Sequence, residues 1–272
     1  SGGALMNSGG AASYLGLLSL SSSSSIVGGS AGTTGTITLS HTGAITGAGF
    51  GLTLGGTAGG SLAGSLDTTT GTLTKSGSGT WHSSACRLAA TRGGAITGAA
   101  EIDNANASNA FTVAGTITGS SALSVGGSGT TVFSGTNAAY TGALTVLSGA
   151  TMQLGDGSST GSFAYSSLTN NGTLSYNTSA PVTVSSVIGG TGGVAINGTG
   201  VVSFTGANTY TGGTTVSGGT LKAGVASSGA ITNGPFGTGT VTVNSGYTVD
   251  LNGYSVGNAF NLSGVGLSSN GA

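Results

Sequence analysis

The chain has 272 residues, of which 58 are glycine and only 3% are charged, with a formal net charge of −1. An ordinary soluble domain carries about 25% charged residues, and so sparse a charge, with no basic run, leaves no electrostatic reason to expect nucleic acid or an anionic membrane as a partner. With 36% hydrophobic residues the chain is also too apolar for a disordered linker, whose signature is low hydrophobicity with high net charge.

In chain order, the sequence opens on Ser1-Gly2-Gly3-Ala4 rather than on Met and a basic segment, so a mature product or an excerpt is expected. The most apolar stretch, residues 14–27, is broken by five consecutive serines and is too short to span a bilayer, so no membrane insertion of this segment is expected. AITG at residues 44–47 is echoed at 95–98. LTKSGSGT at 73–80 returns 50 residues later as LSVGGSGT at 123–130, and more loosely as VAINGTG at 194–200. The likeness then continues. Phe133, Gly135, Asn137, Tyr140 and Gly142 correspond to Phe204, Gly206, Asn208, Tyr210 and Gly212, and SGATMQLG at 148–155 corresponds to SGGTLKAG at 217–224. The offset between these copies drifts from 71 to 69 through single-residue slips.

Near the end, Val241 and Val243 alternate with Thr, Asn244-Ser245-Gly246 follows, then Val249 and Leu251, then Asn252-Gly253. Apolar alternation over three to five residues, punctuated by Asn-Gly or Ser-Gly, is the pattern of short strands and tight turns, and no window holds a helical period with caps. Offsets near 50 and 70 are close to two and three multiples of about 24 residues, a coil length within the range of solenoid repeats. The expected fold is therefore all-β: a β-solenoid of about eleven coils, 1–272 forming a single continuous segment with degenerate repeats such as 123–155 and 194–224. Val, Leu, Ile, Phe and Ala point inward, and Gly and Asn take the corners that need positive φ. Inward asparagines such as Asn137 and Asn208 are expected to form amide ladders onto corner backbone groups.

LTKSGSGTW at 73–81, FTGANTYTGGTTVSGGTLKAG at 204–224 and FGTGTVTVNSGYTVDLNGYSVGNAFNLSG at 236–264 resemble the passenger-associated repeats of bacterial autotransporters, as does AITGAGFGLTLGG at 44–56. The resemblance implies a right-handed parallel β-helix, secreted or displayed on the cell surface. The functional expectation is an extracellular structural or adhesive solenoid, non-enzymatic and without cofactor, whose partners are other copies of itself and surface carbohydrate.

Residues 81–103 depart from the repeat pattern and hold the single Trp, the single Cys, one of the two His (His82), and the charged Arg87, Arg92, Glu101 and Asp103. Trp81, Arg87, Arg92, Glu101 and Asp103 form a candidate carbohydrate-contacting patch, with the indole as a stacking platform; the plainer alternative, which is preferred, is a degenerate coil with solvated charges. Glu101 and Asp103 share a face if they lie on a strand, which raises glycoside cleavage as a minor alternative. Cys86 and His82 are a nucleophile–base pair only if the fold brings them together, and two histidines 41 residues apart with one thiol make a poor metal set. One cysteine permits no internal disulfide and does not decide the compartment. Ser1, Gly2, Gly3 and Ala4 are echoed by Ser269, Asn270, Gly271 and Ala272, so both ends are candidates for end-to-end contact between protomers or tandem periods. An ice-binding solenoid is a second alternative, carried by Thr-x-Thr at 36–38, 72–74, 116–118 and 240–242, though the spacings are irregular.

Overall fold

A computed structural model describes residues 4–30, 34–64, 66–68, 71–83, 94–97, 100–104, 107–108, 110–159 and 161–264. Every regular element among them is a strand of two to five residues, paired in parallel with strands one coil away. The chain is thus an all-strand β-solenoid of about eleven turns. Two compact units share it: Ser1–Thr145 with Ser162–Ser166, and Val146–Gly161 with Ser167–Ala272.

In the first unit one sheet runs through Ala4–Asn7, Ser24–Gly28, Leu52–Gly55, Leu73–Lys75, Gly94–Ile96 and Ile117–Gly119. A second sheet runs through Ala12–Tyr14, Ile37–Leu39, Gly60–Leu62, Trp81–Ser83, Ala100–Asp103 and Leu123–Gly126. Strict alternation sorts the side chains. In the first sheet Ser25, Thr53, Thr74, Ala95 and Thr118 share one column, while Ile26 and Leu54 share a neighbouring, buried one. β-Branched Thr suits an outward strand position, and the inner columns stack like on like.

The second unit has the same logic. One sheet carries Thr151–Leu154, Thr173–Tyr176, Gly193–Ile196, Thr214–Val216, Val241–Val243 and Phe260–Leu262; another carries Val182–Val184, Val201–Phe204, Thr220–Ala223 and Thr248–Asp250. Met152, Leu174, Val194, Thr214 and Val241 form one buried column, and Leu154, Tyr176, Ile196, Val216 and Val243 the next. Burying each such aliphatic side chain contributes roughly 1.5–3 kcal/mol, so the columns hold the coils together without ion pairs. Lys222 and Asp250, aligned on adjacent strands, do pair at 3.3 Å, but both are solvent-exposed enough that the contact adds little.

Coil length varies, from 19 residues between paired Val201 and Thr220 to 28 between Thr220 and Thr248. This brackets the expected value, but the repeat copies are not stacked on one another as their offsets suggested. Two coils carry Leu73 through Gly94 to Ile117, a span of 44 residues, and Leu123 stands six further on, in the other sheet. The copy has moved on by one face. A short strand followed by a Gly corner is the same local problem on each face, so sequence likeness survives a shift that stacking does not.

The first sheet also holds a surprise. Lys75 pairs with Leu54 on one side and Ile96 on the other, in the inward column, and is 7% exposed. Its Nζ curls to the corner and donates to the carbonyls of Ser76 at 3.1 Å and Gly77 at 2.8 Å. Burial lowers its pKa from the ordinary value of 10.5. The aligned residues of the other copies are Val125 and Ile196, both buried. Lys75→Met, which keeps the stem and removes the charge, is expected to raise stability by about 1 kcal/mol at neutral pH. Because the folded state releases this proton early, the wild type gains stability as pH rises through the window just below 10.5. The variant lacks that rise, and urea titrations at pH 7 and 9.5 separate the two.

Candidate functional site

The working part of a repeat protein is the corner that lets one coil follow another. Here it is built twice from Phe, Gly, Asn and Tyr. Phe133 and Asn137, and likewise Phe204 and Asn208, have no exposed surface. The Asn137 side-chain carbonyl accepts from Ile117 N–H at 2.6 Å, 20 residues back, while its amide donates to Ser162 at 2.9 Å, 25 residues on. Asn208 does the same: it accepts from Ile188 N–H at 2.8 Å and donates to the carbonyl of Pro235 at 2.7 Å. Each amide thus joins the coil before to the coil after, satisfying backbone groups that a corner would otherwise leave unpaired. Both side chains satisfy corner backbone groups as expected, by separate bridges to backbone rather than by an amide ladder. In the first unit Phe163 completes the corner, with its ring edge-on to Phe133 at 5.0 Å and Tyr140 at 5.3 Å.

Each corner closes on a buried tyrosine. The Tyr140 hydroxyl lies 2.8 Å from the carbonyls of both Ser121 and Ala143, and shares its one proton between them. Tyr210 lies 2.6 Å from Thr214 Oγ1, which is itself 3.3 Å from the Phe236 carbonyl. The Thr214 proton goes to that carbonyl, so Tyr210 is the donor into Thr214. Burial pushes the Tyr140 phenol up to about 12 and raises Tyr210 further. An unfolded tyrosine titrates near 10, so stability contributed by these two protonated phenols is complete below pH 10 and is lost as pH rises towards 12 and beyond. Alkaline unfolding is expected to steepen by up to about 1.4 kcal/mol per pH unit for each tyrosine. Tyr140→Phe and Tyr210→Phe should each flatten that slope in denaturant titrations above pH 10.

Parity reveals further asparagines that composition alone did not single out. Asn170 follows Leu168 at the same inward parity, is fully buried, and donates to Gly193 at 2.8 Å. Asn258, at the parity of Phe260, donates to Gly239 at 2.8 Å and Gly237 at 3.2 Å. Asn104 donates to Thr130 at 3.0 Å. A test of strand parity at each Asn, rather than a search for Asn-Gly, would have found the first two.

The predicted carbohydrate patch does not assemble around its aromatic. Trp81 is 5% exposed, and its indole N–H donates to the Gly55 carbonyl at 3.2 Å inside the core. It aligns with Ile102, which aligns with buried Val125, so all three lie on the inner side of the second sheet. Glu101 and Asp103 flank Ile102 and therefore take the opposite face. A ring of this size gains more from burial than a surface platform would return, and its single polar atom found a partner. Trp81 is thus corrected from stacking platform to core residue. Arg87, Arg92 and Cys86 lie outside the described residues. Among the described residues no three His, Cys, Asp or Glu side chains gather closely enough to hold a metal ion.

Of the end residues, Ala4 opens a strand and pairs with Ser25, while Ser1, Gly2, Gly3, Ser269, Asn270, Gly271 and Ala272 lie outside the described residues. The Thr-x-Thr motifs are scattered. Those at 72–74 and 116–118 reach the first sheet, that at 36–38 reaches the second, and that at 240–242 belongs to the second unit. On the first sheet Ala95 separates Thr74 from Thr118, which breaks the lattice that an ice-binding face needs.

Short parallel strands, inward apolar columns and bridging asparagines define the class: a β-solenoid repeat protein. Two segments of the chain, residues 123–154 and 197–223, match the family model of the passenger-associated-transport-repeat. The second match overlaps the string at 204–224 on which the sequence resemblance chiefly rested, and each match contains one Asn corner. No curated protein and no solved structure matches the chain.

Proposed function

We propose that the chain is a structural segment of an extracellular surface protein, displayed as a passenger and used for adhesive contact rather than for catalysis. The observation that carries this reading is the pair of matched passenger repeats, each with its buried Phe–Asn–Tyr corner, in a family that implies a secreted or surface-displayed protein. The outward columns fit contact with a neutral polar surface. In the second unit one of them reads Gln153, Ser175, Ala195, Thr215, Thr242 and Asn261, uncharged throughout, and apart from Ser175, which is buried against the Asn197 amide, and Ala195, it offers hydroxyls and amides. The separation of Trp81 from Glu101 and Asp103 supports the non-enzymatic part, since the one aromatic of the atypical stretch sits on the opposite face of the sheet from the carboxylates of the adjacent strand.

The test uses intact cells of the native producer. An antibody against the chain should label unpermeabilised cells, and external protease should remove that label together with their attachment to the surface they colonise. A signal that appears only after lysis sinks the display reading. Attachment that survives complete removal of the label sinks the adhesive one. Release of reducing sugar from a polysaccharide panel, abolished by Glu101→Gln, would move the chain to the enzymes.

A further inference from the structure

Four Asn-x-Ser/Thr triplets fall among the described residues, beginning at Asn171, Asn177, Asn197 and Asn261. In an exported protein such a triplet is the acceptor signal for an N-linked sugar, provided that it stands exposed at a turn. In a chain rich in Asn, Ser and Thr the triplet alone decides nothing, and the fold sorts the four. Thr173, the hydroxyl of the first, opens the strand Thr173–Tyr176, while the Asn171 side-chain carbonyl accepts from the Thr191 N–H at 3.1 Å and hydroxyl at 3.3 Å. Asn261 lies within the strand Phe260–Leu262. Asn177 is at a corner but half-buried. Gly157 N–H donates to its backbone carbonyl at 2.8 Å, and Ser179, the third residue of its triplet, donates its hydroxyl to the Ser158 carbonyl at 3.3 Å.

Asn197 stands at the same corner one coil further on, because Tyr176 aligns with Ile196. Here Asn197 and Thr199 are both exposed, with the buried Gly198 between them. The strand that leads into this corner is paired on both sides, with Thr173–Tyr176 and Thr214–Val216, so the exposure belongs to an interior coil. The backbone is fixed. Asn197 and Gly198 N–H groups both donate to the Tyr176 carbonyl, at 2.8 and 3.1 Å, and Gly200 N–H donates to Thr178 at 2.8 Å. The side chain is oriented as well: Asn197 Nδ2 donates one of its two protons to Ser175 Oγ at 3.0 Å, and the second proton has no partner in the protein. Asn244, two coils on in the same column, makes the matching bond to Ser217 at 2.8 Å, but Gly246 stands where a hydroxyl is needed.

We propose that Asn197 is an N-glycosylation site, and that Thr199 is the residue by which a glycosyltransferase recognises it. The co-substrate is a sugar activated at C1 by a phosphate. Asn197 Nδ2 bonds to that C1 as the C1–O bond to phosphate breaks. The phosphate leaves with the electron pair, and the displaced amide proton goes to a base on the transferase. The product keeps one N–H, which can still donate to Ser175 and hold the sugar at the corner. The inference rests on export of the chain but not on adhesion, and surface labelling can succeed while Asn197 stays bare.

The test is the mass of the chain recovered from its native producer, with peptide fragmentation to place any added sugar, on the wild type and on Asn197→Gln, Thr199→Val and Thr199→Ser. Wild-type Asn197 should carry a sugar, at higher occupancy than Asn171 or Asn177. Asn197→Gln and Thr199→Val should lose that mass entirely, and Thr199→Ser, which keeps the hydroxyl, should retain it. Both positions are exposed, so the variants are expected to fold, and circular dichroism checks this. One sugar marks a nucleotide-linked donor, a preassembled oligosaccharide marks a lipid-linked one, and either supports the proposal. Bare Asn197 in the wild-type chain overturns it. So does sugar confined to Asn171, Asn177 or a Ser or Thr hydroxyl, and so does sugar that persists on Asn197 in folded Thr199→Val. Conversion of Asn197 to Asp with no sugar attached, the spontaneous reaction of an Asn-Gly pair, overturns it as well.

Discussion

Asn208→Ala should lower the unfolding free energy by about 3 kcal/mol or more, the largest effect expected from a polar substitution in this chain. The side chain has no exposed surface and holds the Ile188 N–H on one coil and the Pro235 carbonyl on another. Alanine removes both bonds and leaves both backbone groups buried without partners, and each such loss costs roughly 1–3 kcal/mol. Asn197→Ala is the contrast. That amide is exposed and bonds only the Ser175 hydroxyl at 3.0 Å, so its loss should stay within about 0.5 kcal/mol. Asn208→Asp adds a signature that a mere packing role would not produce. The ionised carboxylate still accepts from Ile188 but cannot donate to Pro235, whereas the protonated form does both. Burial raises the folded pKa of that carboxyl above its unfolded value, so the variant regains stability as pH falls through the folded pKa. Because solenoid coils depend chiefly on their neighbours, amide exchange should quicken around Ile188 and Pro235 and stay unchanged in the first unit. Urea unfolding with residue-resolved exchange reads all of this, and a loss below about 1 kcal/mol for Asn208→Ala would show that the corner does not depend on its amide.

The second large effect is steric. Gly28→Ala should cost about 3 kcal/mol or more, or prevent folding of the first coils. A Cβ placed on Gly28 would stand 1.7 Å from the carbonyl oxygen of Gly59. That neighbour is backbone, and it cannot turn aside as a flexible side chain would. The same corner is tied by Ala58 and Gly59 N–H groups donating to the Gly28 carbonyl, both at 2.9 Å, so any shift breaks bonds as well as contacts. Gly149→Ala isolates the conformational part. Nothing lies within 4 Å of its Cβ, but φ is +83°, so a cost of about 1 kcal/mol is expected. Gly10→Ala has open space and no such φ, and should be close to neutral. Equal costs at the three positions would mean that backbone contact between coils is not what demands glycine here.

Much of the candidate site was legible because its signals are local. Asn137 and Asn208 each stand four residues after an inward Phe and shortly before a Tyr, and that grammar needs no knowledge of the neighbours. Trp81 and Lys75 were not legible. Trp81 stands beside His82 in a stretch crowded with charge, which reads as surface; Lys75 is charged itself and reads as outward. Both are inward because the strands they pair with place Gly60 and Ile102, or Leu54 and Ile96, at the same level. One misplaced residue within a strand cannot reverse the face of that strand once its neighbours are in register. Trp81 gains by this, and Lys75 is left to find carbonyls at the corner.

By itself the sequence determined the class of structure, since period-two alternation, Gly and Asn corners and near absence of charge leave short stacked strands as the means of burying the apolar residues. It likewise pointed to the bridging asparagines and to the two segments that match the passenger-associated-transport-repeat model. Only the tertiary structure decided which coil lies on which, and hence that the 50-residue echo shifts by a face and that Trp81 and Lys75 are core. Alternation is written within a few residues of chain, whereas parallel pairing joins residues 19 to 28 positions apart, and no short pattern carries the register between them.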